Sequence, residues 1–254
     1  MILRRVISHF RKQEWTAIGL DFLIVVFGVF IGIQVSNWNT ARASMERETG
    51  LLVELRRELE TGIQKTEQKA YALNQVAEAG KRSLDFMAAG QPCGDNCWLV
   101  LVDFFHASQW QKIEVQATTY EEMRRSGLPR SREIIDAVEF YLAQNANLAS
   151  TWQEPPKYRS LVRQFIPLDV QAYYWATCYD VTGGAETYVL DCAKGVADDM
   201  AARSVNEIMT KPDMQPFLTE WTGHVVSTPS DMDEQNEAAE RAIAAINNEL
   251  DRRR

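Results

Sequence analysis

Histidine is scarce in this chain of 254 residues: there are three, and His9 falls in the basic N-terminal tip. General acid–base chemistry near neutral pH would have only His106 and His224 to draw on. The sequence also has no serine in a nucleophile elbow, no glycine-rich phosphate loop and no His/Glu spacing of a zinc protease. Asp103 and His106 stand three apart and share a helix face, which reads as a polar pair at the edge of an aromatic segment. The pattern therefore predicts no catalytic residue, no metal ligand set and no cofactor.

A basic stripe is missing as well. The formal net charge is -8, and residues 1–38 carry Arg4, Arg5, Arg11 and Lys12 against Glu14 and Asp21, which leaves -10 on the remainder. A surface of that sign does not displace counterions from nucleic acid, so no nucleic-acid partner is expected. With 46% apolar residues the chain has the material for a packed core.

What is present first is a long apolar run, Ala17 to Val35, interrupted only by Asp21 and Gln34. At 1.5 Å per residue it matches a hydrocarbon layer of about 30 Å. Trp15 and Trp38 bracket it where indole rings favour the interface. A signal peptide is the rival reading, but the run is long for one and Ser36-Asn37-Trp38-Asn39 makes a poor cleavage site. The expected layout is a short basic cytoplasmic tip at 1–14, a transmembrane helix at 15–38, and a helical soluble domain at 39–254. Positive charge concentrated before the span predicts a bacterial inner-membrane protein with a cytoplasmic N-terminus and a periplasmic domain.

The four cysteines fall as Cys93/Cys97 and Cys178/Cys192. Two local disulfides on the oxidising side of the membrane are the simple reading. A zinc site would want two close pairs, and only Cys93/Cys97 has that spacing.

The helix predicted across the membrane has no proline to stop it before Gly90-Gln91-Pro92. Leu52, Leu55, Leu59, Ile63, Thr66, Ala70, Leu73, Ala77, Gly80 and Leu84 recur at steps of three and four, forming one stripe. That stripe can zip to a second copy or pack on later helices, and its small second half favours packing within the chain. A helix over Trp98–Phe105 is expected next, then one opened by a capping box at Thr119–Glu122 and closed by Gly127, then one capped by Ser131 and broken by Pro155-Pro156. Further helices are expected over 157–174, over 194–209, and from Ser230 to the C-terminus, with Pro212, Pro216 and Pro229 as punctuation and Gly183-Gly184 as a turn. The fold class is all-α: one N-terminal transmembrane helix continuing into a helical-bundle extracytoplasmic domain.

Three features exceed what plain anchoring requires. Asp21 places a costly carboxylate about two turns into the span, to be met by Arg11 or Lys12, by a partner helix or by protonation. Gly28 and Gly32 form a Gly-x-x-x-Gly face on which a second helix can approach closely. Gln34 and Trp38 complete this set of membrane or partner contact candidates. Elsewhere Tyr173, Tyr174 and Trp175, with Tyr179 and Tyr188, either line a ligand pocket or pack as core, and core is the commoner use.

The stretch from Asp21 through Gly28, Gly32 and Gln34 to Asn37-Trp38-Asn39 resembles the N-terminal anchor of the DUF6090-like family of bacterial single-span membrane proteins. Asp21 stands where that family commonly has Glu. A second segment, Thr119, Tyr120, Glu121, Glu122, Met123, Arg124, Arg125, Ser126 and Gly127, is similar to the family's Thr-Tyr-Glu-Glu…Ser-Gly segment. The resemblance implies a single-span protein with a helical extracytoplasmic domain and brings no activity with it. The expectation for function is a membrane-anchored, non-enzymatic interaction or scaffold protein, an accessory subunit of an envelope complex, partnered by a homo-oligomer or another membrane protein. The alternative is a ligand-binding or sensing module that signals through a partner.

Overall fold

The structure is a computed structural model that describes residues 15–113, 117–182 and 185–254, with the side chains of 15–17 and 185 also left undescribed. The basic tip and the Gly183-Gly184 turn lie outside the described residues. Helix is the dominant element throughout. Helix α1 spans Trp15–Ala89, as the absence of proline predicts, and it stops one residue before Gly90, whose φ of 62° lies in the left-handed region. After a 3-10 turn at Gly94–Asn96 come α2 (Cys97–His106), α3 (Thr118–Arg125), α4 (Arg132–Thr151) and α5 (Lys157–Val162). A second 3-10 turn, Arg163–Phe165, leads to α6 (Leu168–Thr177), strands β1 (Tyr179–Thr182) and β2 (Ala185–Tyr188), α7 (Asp198–Met209) and α8 (Met214–Arg252).

The chain divides into two compact units, residues 1–51 and 52–254. In the first, the described residues are helical, and one window is long and apolar enough to cross a membrane with none of it buried. Phe22, Ile24, Phe27, Val29, Phe30 and Ile33 are all more than half exposed. A helix apolar on every side has no solvated face to turn to water.

In the second unit the stripe on α1 packs against its own chain. Leu52, Leu55, Leu59, Leu73 and Ala77 are buried, Arg56 donates to Asn247 Oδ1 at 3.0 Å, and Gln235 Nε2 donates to Thr66 Oγ1 at 3.3 Å. These pairings run in opposite senses along the two helices, so α8 is antiparallel to α1. Helix α4 also packs along α8, with Glu133 near its start facing Arg252 near the end of α8. It therefore runs parallel to α1. A second layer sits toward the other end, where α2 packs on α7 and buries Trp98, Leu101, Phe104 and Phe105 against Tyr158, Tyr174 and Ile208.

Four departures from the sequence expectation have physical causes. The flanks of Gly183-Gly184 pair as an antiparallel hairpin with Tyr179 opposite Tyr188, a small β addition to an otherwise helical chain. The 157–174 stretch is two helices, because Pro167 has no N–H to continue the first. The last helix begins at Met214 rather than Ser230: Pro216 sits in its first turn, where no N–H is needed, and the helix runs on through Pro229. Buried Trp221, Thr222, Val225, Thr228, Met232 and Gln235 keep one face continuous across Pro229, and that packing outweighs the lost backbone bond. Finally, no side-chain cap forms at the start of α3, where Ala117 holds the cap position; the Thr119 N–H is met instead by Glu58 Oε2 of α1 at 2.9 Å. A carboxylate there also suits the positive end of the helix.

Candidate functional site

The sequence-derived candidates fall in separate places. Asp21, Gln34 and Trp38 are exposed on α1, and a Cβ added at Gly28 or Gly32 would meet nothing within 4 Å. Cys93 and Cys97 stand at disulfide distance with Cα atoms 4.7 Å apart, and so do Cys178 and Cys192 at 5.1 Å. The second pair ties the end of α6 to the segment after β2.

Asp103 and His106 do not act together. Asp103 turns to α1, where Arg82 Nε and Nη2 both donate to it, at 2.9 and 2.5 Å. His106 points into the core with no exposure. Its Nδ1 accepts from the Tyr174 hydroxyl, its Nε2 donates to the Val189 carbonyl at 3.2 Å, and Gln109 Nε2 donates to the same Tyr174 oxygen at 3.2 Å. Arg163 completes the chain by donating to Gln109 Oε1 at 3.1 Å. Burial, helped by the positive Arg82, pushes the His106 pKa down to about 4, so the imidazole is neutral at physiological pH. Both nitrogens are committed to structure. His224 lies against Trp152 and Trp221, at ring separations of 5.2 and 5.7 Å.

The aromatic cluster packs as core rather than around a pocket. Tyr174 and Tyr188 are buried, Tyr173 sits edge-on to Trp98, and Trp175 sits edge-on to Tyr179. Within the Thr119–Gly127 segment, Tyr120 and Met123 are buried while Glu121, Glu122, Ser126 and Gly127 are exposed. Gly127 takes a φ of 70°, and the Leu128 N–H returns to the Met123 carbonyl at 2.8 Å, which closes the helix as the sequence predicts.

Tyr120 leads to the feature that sequence reasoning missed. Its ring forms part of the wall of a partly open cavity of about 220 Å³ between α1, α3, α4 and α8, with Lys112, Ile113 and Ala117 also lining it. The wall is mixed: Leu55, Leu59, Val138, Leu142 and Met232 give it an aliphatic part, and Glu58, Lys65, Lys69 and Lys112 a charged one. Three polar atoms in it are buried without a hydrogen-bond partner: Glu58 Oε1, Asn145 Nδ2 and Gln235 Oε1. Asn145 is 2% and Gln235 5% exposed. A buried polar atom left unpaired costs about 1–3 kcal/mol, and three in one cavity mark it as a place where something polar belongs.

The Gln235 amide is oriented by its surroundings. Thr66 Oγ1 donates to the Gly62 carbonyl at 3.0 Å, so it can only accept from Gln235, and this leaves Gln235 Oε1 as the free acceptor. The Tyr141 hydroxyl lies 2.9 Å from where a Gly62 Cβ would stand, which sets the register of α4 on α1. Asn145, Thr66 and Gln235 all line the same cavity. The signal was present in the sequence: Asn145 falls between Tyr141 and Leu148, and Gln235 between Met232 and Ala239, each an amide on an apolar stripe. Comparison with protein-family models, with curated proteins and with solved structures finds no match.

Proposed function

We propose that this chain is a membrane-anchored, non-enzymatic interaction protein whose N-terminal helix spans a bacterial inner membrane once and whose helical bundle stands in the periplasm. The observation that carries the reading is the exposed apolar helix around Gly28 and Gly32, every side of which is left without a partner from its own described chain. Lipid satisfies such a surface, and the glycine face admits a second helix. The Asp21 carboxylate gives that second helix a polar contact to satisfy. Membership of the DUF6090-like family belongs to the same proposal and rests on the Asp21–Asn39 and Thr119–Gly127 segments. The two cysteine pairs at disulfide distance support an oxidising compartment for the domain. In this reading the protein serves as an accessory subunit of an envelope complex or as a homo-oligomer. Purification in gentle detergent followed by native mass measurement tests it: a stoichiometric complex is expected, and a strictly monomeric species would count against it.

The cavity favours a second reading, in which the same domain binds a small ligand and passes the event to its membrane partner. A concave wall that joins aliphatic side chains to a few unpaired polar atoms is the usual make-up of a ligand site. A ligand held there would raise the thermal midpoint of the intact protein.

A further inference from the structure

We infer that the cavity between α1, α3, α4 and α8 binds a compact, uncharged molecule with an apolar body and a carboxamide head, either a primary amide or a lactam. This rests on the ligand-binding reading and gives it a chemistry.

The head group follows from the polar atoms at one end of the cavity. Asn145 Nδ2 is a donor without an acceptor, and Gln235 Oε1 is an acceptor without a donor, held in that sense by Thr66. Both amides line the same cavity. A donor beside an acceptor is matched by a group that presents C=O and N–H side by side, which a primary amide or a lactam does. A carboxylate presents acceptors only. It would face the Gln235 oxygen with no hydrogen to offer it, and the charges in the same wall are of both signs, Glu58 with Lys65, Lys69 and Lys112. A hydrocarbon would fill the aliphatic part and leave both amides unpaired. The body is limited by the cavity of about 220 Å³ and by the Leu59, Val138 and Leu142 side chains that line it.

Benzamide, benzoate and toluene are suitable probes, since they share a ring and differ in the head. Binding to the full chain in detergent is measured by ligand-observed saturation-transfer NMR and titration. The expected result is saturable binding of benzamide, at least about tenfold tighter than either benzoate or toluene, the factor that one good hydrogen bond supplies. Gln235→Met and Asn145→Leu, checked for native helicity, should each remove that preference and leave toluene binding in place. If benzamide binds no tighter than benzoate or toluene, or if both variants keep the benzamide preference, the carboxamide assignment is overturned while the ligand-binding reading stands. If none of the three binds saturably, the ligand-binding reading itself fails.

Discussion

Thr222 of α8 closes directly over Gly80 of α1: a Cβ at residue 80 would stand 3.0 Å from Thr222 Cγ2 and 3.2 Å from Thr222 Cβ, with the hydroxyl nearer still. The threonine is buried and presents both of its branches to Gly80, so turning it exchanges one close contact for another. Gly80→Ala is therefore expected to destabilise the domain by about 1–3 kcal/mol through overpacking. Adding Thr222→Ala should recover the loss and expose the underlying gain of about 1 kcal/mol from replacing a helical glycine. Urea unfolding of the two single variants and the double variant measures the coupling. Additive effects would mean that the helices do not meet at this point.

His106 makes stability depend on acid. In the folded chain its pKa is held near 4, against an ordinary value of 6.5, so below pH 6.5 the unfolded chain binds a proton that the folded chain refuses. Stability from this group is full above pH 6.5, falls as the pH drops toward 4, and levels off below that. The gap between the two values corresponds to about 3 kcal/mol. His106→Gln should be less stable at pH 7.5, because the contacts to Tyr174 and Val189 are disturbed, but should lose less on going to pH 4.5. Urea midpoints at the two pH values decide; an equal acid loss in both proteins would remove His106 as the cause.

The cysteine pairs give a chemical readout. Alkylation of the native protein under denaturing conditions should label no thiol before reduction and four after it. Reduction should also lower stability, chiefly through Cys178 and Cys192, which are 14 residues apart; closing a loop of that size is worth about 3 kcal/mol. Four thiols labelled before reduction would contradict both the pairing and the periplasmic assignment.

The glycine face of α1 is expected to matter in the membrane and not in the domain. Gly28→Leu with Gly32→Leu should loosen or abolish the native complex seen by mass measurement, because bulky side chains hold two helices apart. The urea midpoint of the helical domain should not move. An unchanged complex would place the contact elsewhere.

Legibility in the sequence followed the length scale of each signal. The long apolar helix, the unbroken α1 stripe and the Gly127 stop depend on residues within a few turns, and they read out directly. Pro229 misled because its local penalty is visible in sequence, whereas the compensation, a buried face running from Trp221 to Gln235, comes from α1 and α4. The capping box at Thr119 failed for the same reason: the carboxylate that meets the Thr119 N–H is Glu58, 61 residues away. Asn145 and Gln235 stood in view as amides on apolar stripes. Their convergence required knowing that α4 runs parallel to α1 and that α8 runs antiparallel to it.

Alkaline carbonate extraction of native membranes shows whether the exposed apolar helix is held in a bilayer. The full chain should stay in the membrane pellet at high pH and be released only by detergent. Release of the intact chain into the alkaline supernatant, without detergent, would contradict a bilayer-held helix.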